Sequence, residues 1–365
     1  MLEFWKVKRE LKRLTMQTVI PFDFLTMRLR RWHYDATNKG EKNHSYGKQP
    51  LKNNIAIVLL FQPKGVKSSI FETLKHFIEK GFTPIVVSNT LLGEKDKEKL
   101  LAYSYLVLER PNFGYDFGGY RDGILYLLER ELHPENLILT NDSIWFPVQK
   151  NCDFIDTVLQ QKADLFGIVM SDRPEAPHRN HLQPYFYNFK RPLVSDKCFH
   201  KFWQNLYFSS NKFLVVRKCE MVLTEYFSQN GFSVGWLLDF QNLKDALKLL
   251  SRTELKTVAT YQVEVDRKNS EEVSHFLKSE LDKPDWKTRV EALIERKQMG
   301  KYILIAHPSL LLDKLSLPIL KRDQQPIYQH QRRAIFSEGL ESRLTESVLQ
   351  EISCETKITT KSTDH

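Results

Sequence analysis

The sequence has few cysteines and no long hydrophobic segment. Its four cysteines are spread over 365 residues without Cys-x-x-Cys spacing, which excludes a disulfide framework or a zinc site of that type and favours a reducing compartment. No run of about 18 apolar residues occurs, so a membrane-spanning helix is not expected. Charges interrupt the N-terminus every two or three residues from Lys6 to Arg13, unlike the apolar core of a signal peptide. We therefore expect a cytoplasmic protein.

Two common nucleotide-binding signatures are also missing. The sequence has no GxGxxG motif and no acidic residue after a second strand in the dinucleotide-binding pattern, which disfavours a nicotinamide cofactor. It also has no phosphate loop ending in Gly-Lys-Ser or Gly-Lys-Thr, which disfavours ATP or GTP chemistry.

Positive charge is concentrated in residues 1–50, which hold 11 Lys/Arg against 5 Asp/Glu in a chain of net charge +9. Apolar residues at helical spacing, surrounded by basic ones, predict an amphipathic basic helix here: Phe4, Val7, Leu11 and Leu14. Such a helix binds an anionic membrane surface or docks on the body of the protein, and both interpretations stay open. Nucleic-acid binding is not expected because no recognition motif accompanies the charge.

Residues 51–250 alternate apolar runs with helical patterns. A continuous apolar run at 55–61 is typical of a strand covered on both faces, and Ser69 with Glu72 predicts a capping box for the next helix. Repeated strand–helix alternation predicts an α/β fold with a mostly parallel, Rossmann-like sheet flanked by helices. Residues 251–330 form a mainly helical C-terminal extension by composition, and 331–365 read as a polar tail with a disordered end.

The first candidate site follows a predicted strand at about 105–108 and opens a predicted helix. A strand-to-helix turn exposes unpaired backbone N–H groups, and glycines let a phosphate or sugar approach closely. The residues we expect to bind a ligand here are Asn112, Gly114, Asp116, Gly118 and Gly119. The alternative is that they only build a tight turn.

The second candidate site, Asn141-Asp142-Ser143, follows the strand-like run 137–140. The carboxyl edge of an open α/β sheet is where ligands bind, so both signatures are expected at one edge. Asp142 is the candidate ligand for a divalent cation, Mg²⁺ or Mn²⁺, that bridges a diphosphate. The alternative is an ordinary helix cap or turn.

Three further residues are candidates with weaker patterns. Glu220 is predicted to open a helix that faces the sheet edge, where a carboxylate is suited to act as a general base; its alternative role is a charge favoured by the helix dipole. His181 and Gln183, which precede an aromatic strand, are candidates for contact with a sugar or diphosphate. A single histidine is more often structural.

An ordered set of motifs then resembles a known family. The strings NFGYDFGGY, LILTNDSIWFP, DLFGIVMSD, HLQPYFYNFKRPLVSDKCFHKFW and CEMVLTEYFSQNGF, with the later LPILKRD, are similar to those of the rhamnan synthesis protein F family of bacterial glycosyltransferases. The resemblance covers about residues 55–323. The ordered combination is more specific than any single string.

The resemblance implies a GT-A-like domain over 51–250 and an inverting transferase, expected to be a rhamnosyltransferase. It implies a nucleotide-diphospho-sugar donor, dTDP-rhamnose, held around Asp116 and Asp142, with Glu220 as the catalytic base. The implied acceptor is a growing lipid-linked polysaccharide or lipopolysaccharide at the inner face of the cytoplasmic membrane, where the basic N-terminal segment would dock. A catalytically inactive glycan- or membrane-binding scaffold with the same fold is the alternative.

Overall fold

The computed structural model describes residues 26–37, 43–171, 180–296, 298–299 and 302–362, with side chains as far as residue 355. The predicted amphipathic helix at Phe4 to Leu14 lies outside the described residues. The strands, β1 to β11 in chain order, are His44–Tyr46, Asn54–Leu60, Phe82–Ser88, Leu106–Glu109, Asn136–Asn141, Ile144–Trp145, Leu165–Ser171, His181–Leu182, Phe186–Lys190, Val234–Leu238 and Leu320–Lys321.

Helices surround these strands and dominate the C-terminal part of the described chain. Residues 26–37 form α1, and α2 to α15 follow in chain order: Ser68–Glu79, Glu94–Ala102, Tyr115–Glu129, Phe154–Gln160, Arg191–Val194, Lys197–Gln204, Lys212–Val215, Met221–Gln229, Phe240–Lys248, Arg252–Val265, Ser270–Ser279, Trp286–Glu295, Pro326–Ser337 and Glu346–Ser362. A π-helical turn, Val216–Glu220, joins α8 to α9.

One central sheet organises the described residues, in the order β1-β4-β3-β2-β5-β9-β7-β10, with β8 paired to β7. Strands β2 to β5 are parallel to one another, and β7 is parallel to β10. β9 runs antiparallel to both β5 and β7, and β1 antiparallel to β4. β2 and β3 are buried almost throughout, as expected of strands covered by helices on both faces. The expected α/β class with a mostly parallel sheet is confirmed.

The small β6–β11 ribbon joins the C-terminal region to the sheet edge. Leu320 pairs with Trp145 and Lys321 with Ile144, directly after the end of β5. A strand from near the end of the chain therefore lies beside the Asn141-Asp142-Ser143 signature.

The start of α2 differs from the predicted capping box. The helix follows Lys67 and has no side-chain cap; Ser69 instead bonds Glu351 through both its backbone N and its hydroxyl, at 2.8 and 3.1 Å. Glu72 accepts a hydrogen bond from Ser347. Both side chains form hydrogen bonds with residues of α15, which packs on α2. The spacing of Ser69 and Glu72 in the sequence gives no indication of that tertiary contact.

The region predicted as a polar tail carries an ordered helix as far as residue 362. In α15, Val348 and Ile352 are buried at i, i+4 spacing and join the core. A single apolar stripe on an otherwise polar helix is enough to dock it. The C-terminal extension predicted to be mainly helical over 251–330 contains the helices α11, α12 and α13.

None of the helices in the described part of the chain has both the length and the hydrophobicity of a membrane span.

Candidate functional site

The turn after β4 positions Asp116 at the sheet edge. Gly114 has φ +79°, and a Cβ there would lie 3.0 Å from both the Gly118 Cα and the Phe208 ring. Only glycine meets both conditions without strain. The chain therefore enters α4 at Tyr115, and Asp116 falls in the first helical turn, where a carboxylate suits the helix dipole.

Gly118 and Gly119, predicted to bind a donor, are buried in α4 against the turn and the sheet. A Cβ on Gly118 would lie 2.1 Å from the Phe113 carbonyl oxygen, and one on Gly119 would lie 2.2 Å from Leu59. These glycines let α4 pack closely on β2. Their effect on a ligand would act through the position of Asp116.

The buried side chain of Arg110 stabilises the turn after β4. Arg110 donates from Nε to Asp122, at 2.6 Å, and bonds the Asn89 side chain and the Phe113 carbonyl. Asn89 in turn donates to the Asn112 side chain at 3.2 Å. Asn112 itself is exposed, so its amide is ordered but open to solvent.

The two sequence signatures meet at the carboxyl edge of the sheet. Asn141 donates from Nδ2 to Asp116 Oδ2 at 3.1 Å, and its Oδ1 accepts from the Ser143 backbone N at 3.1 Å. Asp142 Oδ2 accepts from the Phe61 backbone N at 2.8 Å. The ends of β2, β4 and β5 thus hold two acidic side chains close enough to influence each other.

The electrostatics of this edge make Asp116 easier to protonate than an ordinary aspartate. Burial, followed by the nearby charge of Asp142, raises the pKa of Asp116 to about 6, although Lys321 and Lys212 oppose the shift. Burial also raises the pKa of Asp142, against the Phe61 N–H and the Arg322 charge. Neighbouring carboxyls with raised pKa values are typical of a site that binds a cation or a hydrogen-bond donor.

Glu220 lies within a continuous helical segment and does not open one. Helical structure runs over 212–229, and Glu220 ends the π turn that separates α8 from α9. An inserted π turn rotates the following side chains relative to the preceding ones, and such turns are frequent at functional sites. The Glu220 side chain is 16% exposed and lies within electrostatic reach of Asp116 and Lys321.

His181 lies beside Glu220. Its Nε2 is 3.5 Å from Glu220 Oε1, and its ring is buried in β8. The neighbouring Leu182 backbone N donates to Thr224 of α9 at 2.9 Å, which ties β8 to the helix that carries Glu220. Gln183 is half-buried and its backbone N donates to Val169.

Sequence reasoning missed two cations at the site, Lys321 and Arg322. Lys321 Nζ donates to Ser143 Oγ at 2.9 Å, and the Arg322 backbone N donates to the Ser143 carbonyl at 2.8 Å. Both lie in the LPILKRD string, but nothing in it indicates contact with a residue 178 positions earlier.

Metal ligands are few at this edge. The described residues contain no group of three or more His, Cys, Asp or Glu side chains arranged to hold a metal ion. Asp142, the residue predicted to bind a diphosphate-bridging cation, supplies one carboxylate at this edge. Mg²⁺ is commonly held by one or two carboxylates together with substrate phosphates, so this donor set fits a cation only when the diphosphate completes it.

A known protein family and known bacterial proteins are similar to this chain. The rhamnan synthesis protein F family matches residues 84–265. The chain belongs to this family. It is 32% identical over 347 residues to the uncharacterized protein y4gN of Sinorhizobium fredii, covering 95% of this chain and 91% of that one. It is 29% identical over 141 residues to the virulence protein VirA of Vibrio anguillarum, covering 38% and 43%.

Family membership supports glycosyl transfer as the reaction class. Two solved structures match this family member at low similarity. The mannosyltransferase PcManGT from Pyrobaculum calidifontis, in complex with GDP-Man and Mn²⁺, is 10% identical with TM-score 0.33 and covers 89% of this chain and 96% of its own. The mannosyltransferase Ktr4p from S. cerevisiae is 11% identical with TM-score 0.28, covering 53% and 72%.

Proposed function

We propose that the protein is a GT-A-like, inverting glycosyltransferase that moves a sugar, rhamnose, from a nucleotide-diphosphate donor such as dTDP-rhamnose to a growing cell-surface polysaccharide or lipopolysaccharide. One observation carries this proposal. Asp116, Asp142 and Glu220 converge with Lys321 at the carboxyl edge of the sheet, and each lies within electrostatic reach of at least one of the others.

Glu220 is the proposed general base. Its carboxylate is partly exposed and is held beside His181, 3.5 Å away, while α9 is tied to β8. It removes the proton of the acceptor hydroxyl as that oxygen attacks the anomeric carbon, which inverts the configuration in a single displacement. General-base catalysis of this kind contributes about 10²- to 10⁴-fold to a rate.

The donor half of the site is formed by the two signatures. Asn112 presents an ordered, exposed amide, and the edge around Asp116 and Asp142 receives the nucleotide and diphosphate. Gly114, Gly118 and Gly119 position this edge, and Asn141 and Ser143 link it to β5 and β11. When a divalent cation accompanies the donor, Asp142 is the ligand that would hold it, and the cation would supply positive charge to the leaving diphosphate.

Membrane association is the second part of the proposal. Leu29 and Trp32 of α1 are 68% and 69% exposed, and Arg28 beside them is exposed as well. Exposed apolar side chains next to arginine suit the interface of an anionic membrane. Tyr34 of the same helix packs on Phe113 of the turn after β4, so a membrane contact through α1 would bring the donor edge close to a lipid-linked acceptor.

The test separates binding from chemistry. Purified protein is assayed for melting temperature and for sugar transfer with a panel of nucleotide-sugars, and the anomeric configuration of the product is determined by NMR. We expect stabilisation by one donor because a ligand that binds only the folded state raises its melting temperature.

In Glu220→Gln the donor-induced stabilisation should remain, while transfer falls by about 10²-fold or more because the amide cannot accept the proton. The matched control is Glu225→Gln, an exposed residue of the same helix, which should transfer at the parental rate. A product with retained configuration, or full activity in Glu220→Gln, would contradict the assigned base. Carbohydrate binding without any transfer would favour the scaffold alternative.

A further inference from the structure

The C-terminal strand β11 brings two cations to the residue that follows Asp142. The Lys321 ammonium donates to the Ser143 hydroxyl, at 2.9 Å, and the Arg322 backbone N donates to the Ser143 carbonyl, at 2.8 Å. The antiparallel pairing of β11 with β6 fixes this register. Both positive charges are therefore part of the built sheet edge and not of a mobile surface chain.

Arg322 has donors that the described residues do not use. Its terminal nitrogen Nη2 donates to Glu351 at 2.8 Å and to Ser69. The other two nitrogens, Nε and Nη1, are buried and have no partner in the described part of the chain. The side chain is only 9% exposed. A buried guanidinium donor without an acceptor is costly, and a phosphate oxygen is a suitable acceptor for it.

Arg322 is also held rigidly. Its guanidinium carbon lies 5.2 Å from the centroid of the Trp145 ring, and the Trp145 Nε1 donates to the same Glu351 carboxylate at 2.8 Å. Its charge reaches Asp142, whose pKa it lowers. The guanidinium is thus fixed within electrostatic reach of Asp142 at the end of β5.

Lys321 is the second cation. Its ammonium lies 5.0 Å from the centroid of the Tyr185 ring and interacts electrostatically with Asp116 and Glu220. No carboxylate among the described side chains lies within 4 Å of it, so the ammonium has no ion-pair partner there. Burial lowers the pKa of Lys321, and a bound anion would reverse that effect.

We propose that Lys321 and Arg322 bind the diphosphate of the donor and neutralise the leaving nucleoside diphosphate, so that donor binding persists without a divalent cation. This inference rests on the proposed glycosyltransferase function. Preorganised positive charge beside a developing anion stabilises the transition state more than the ground state. Three carboxylates, Asp116, Asp142 and Glu220, lie near these side chains, so without a divalent cation the positive charge beside the diphosphate comes from Lys321 and Arg322.

The test measures binding of nucleoside diphosphates by calorimetry in EDTA and in Mg²⁺, with the matching nucleosides and inorganic diphosphate as further probes. The variants are Lys321→Met and Arg322→Lys, the second of which keeps the charge facing Glu351 but removes the fork. The controls are Lys314→Met and Arg333→Met, two exposed positions in the same region. Melting curves verify that each variant is folded.

We expect the parent protein to bind at least one of the nucleoside diphosphates in EDTA. The affinity of Lys321→Met and of Arg322→Lys for that nucleotide should be lower by about tenfold or more. Nucleoside binding should be unchanged by the variants, and inorganic diphosphate should lose affinity in parallel with the nucleotide. The control variants should match the parent.

Two outcomes would overturn the inference in different ways. If the parent binds and transfers only with Mg²⁺, and both site variants keep its affinity, the diphosphate role of Lys321 and Arg322 is refuted while the transferase function stands. If no nucleoside diphosphate or nucleotide-sugar binds under any condition, the proposed function and the inference both fail.

Discussion

Replacing Asp116 by asparagine should stabilise the protein while impairing donor binding. The folded state holds this carboxyl at a pKa of about 6, against an ordinary value of 3.8, chiefly because it is buried near Asp142. An asparagine oxygen still accepts the hydrogen bond that Asn141 donates, at 3.1 Å in the parent. The substitution therefore removes the charge and keeps the local geometry.

The sign and size of the effect follow from proton linkage. Because the folded pKa is raised, the unfolded chain loses its proton first as pH increases, so Asp116 lowers stability progressively from about pH 4 to about pH 6, and the loss is complete above that range. The difference between 3.8 and about 6 corresponds to about 3 kcal/mol at pH 8 and about 1 kcal/mol at pH 4.5. Asp116 is partly exposed, so solvent screening makes these values upper limits.

Chemical denaturation of parent and Asp116→Asn at pH 4.5, 6 and 8 measures the effect. We expect the gain in unfolding free energy to increase about threefold between pH 4.5 and pH 8. The control is Asp282→Asn, an exposed aspartate in the turn between α12 and α13. A gain in Asp116→Asn that is absent, or that equals the control at every pH, would refute the argument that burial of this carboxyl costs stability.

Two other predictions concern packing and membrane contact. Gly118→Ala should lower the free energy of unfolding by about 1–3 kcal/mol, because the new Cβ would lie 2.1 Å from the Phe113 carbonyl oxygen; Gly93→Ala, whose Cβ would meet nothing within 4 Å, is the control for denaturation. The double variant Leu29→Ser, Trp32→Ser should co-sediment less with phosphatidylglycerol vesicles at low salt than the parent protein does. The control Leu249→Ser, at an 84% exposed position, should co-sediment like the parent. Equal binding by the parent, the double variant and the control would exclude α1 as the membrane contact.

The sheet edge was predictable because its signals are local. A buried strand followed by Asn141-Asp142-Ser143, and another followed by the turn containing Asn112 and Asp116, place both groups at parallel strand ends by a general rule of α/β folds. Their hydrogen bond, Asn141 to Asp116, agrees with that expectation. The helix pattern predicted Glu220 near the same edge by placing it at a helix start, which the structure does not show, and its role as catalytic base came from family resemblance.

The remaining features depend on contacts between distant segments. The π turn that ends at Glu220 has no periodic signal in the sequence, and its residue Cys219 is buried. The docking of α15 and the use of Ser69 by Glu351 join positions 282 residues apart. A polar composition predicted a tail there, although the buried apolar residues Val348 and Ile352 and the hydrogen bonds of Glu351 fix the helix.

The distribution of charge explains why the site depends on these distant segments. The acidic groups Asp116 and Asp142 come from the sheet edge itself, whereas the cations Lys212, Lys321 and Arg322 come from later parts of the chain, and all five are linked electrostatically. Burial of the acids without the cations, or of the cations without the acids, would cost stability. The reason is that burial raises the energy of a charged side chain. Under the proposed function, the donor diphosphate would lie beside these cations, and β11 would contribute to the donor site although the central sheet does not contain that strand. Removal of β11 should then abolish donor binding.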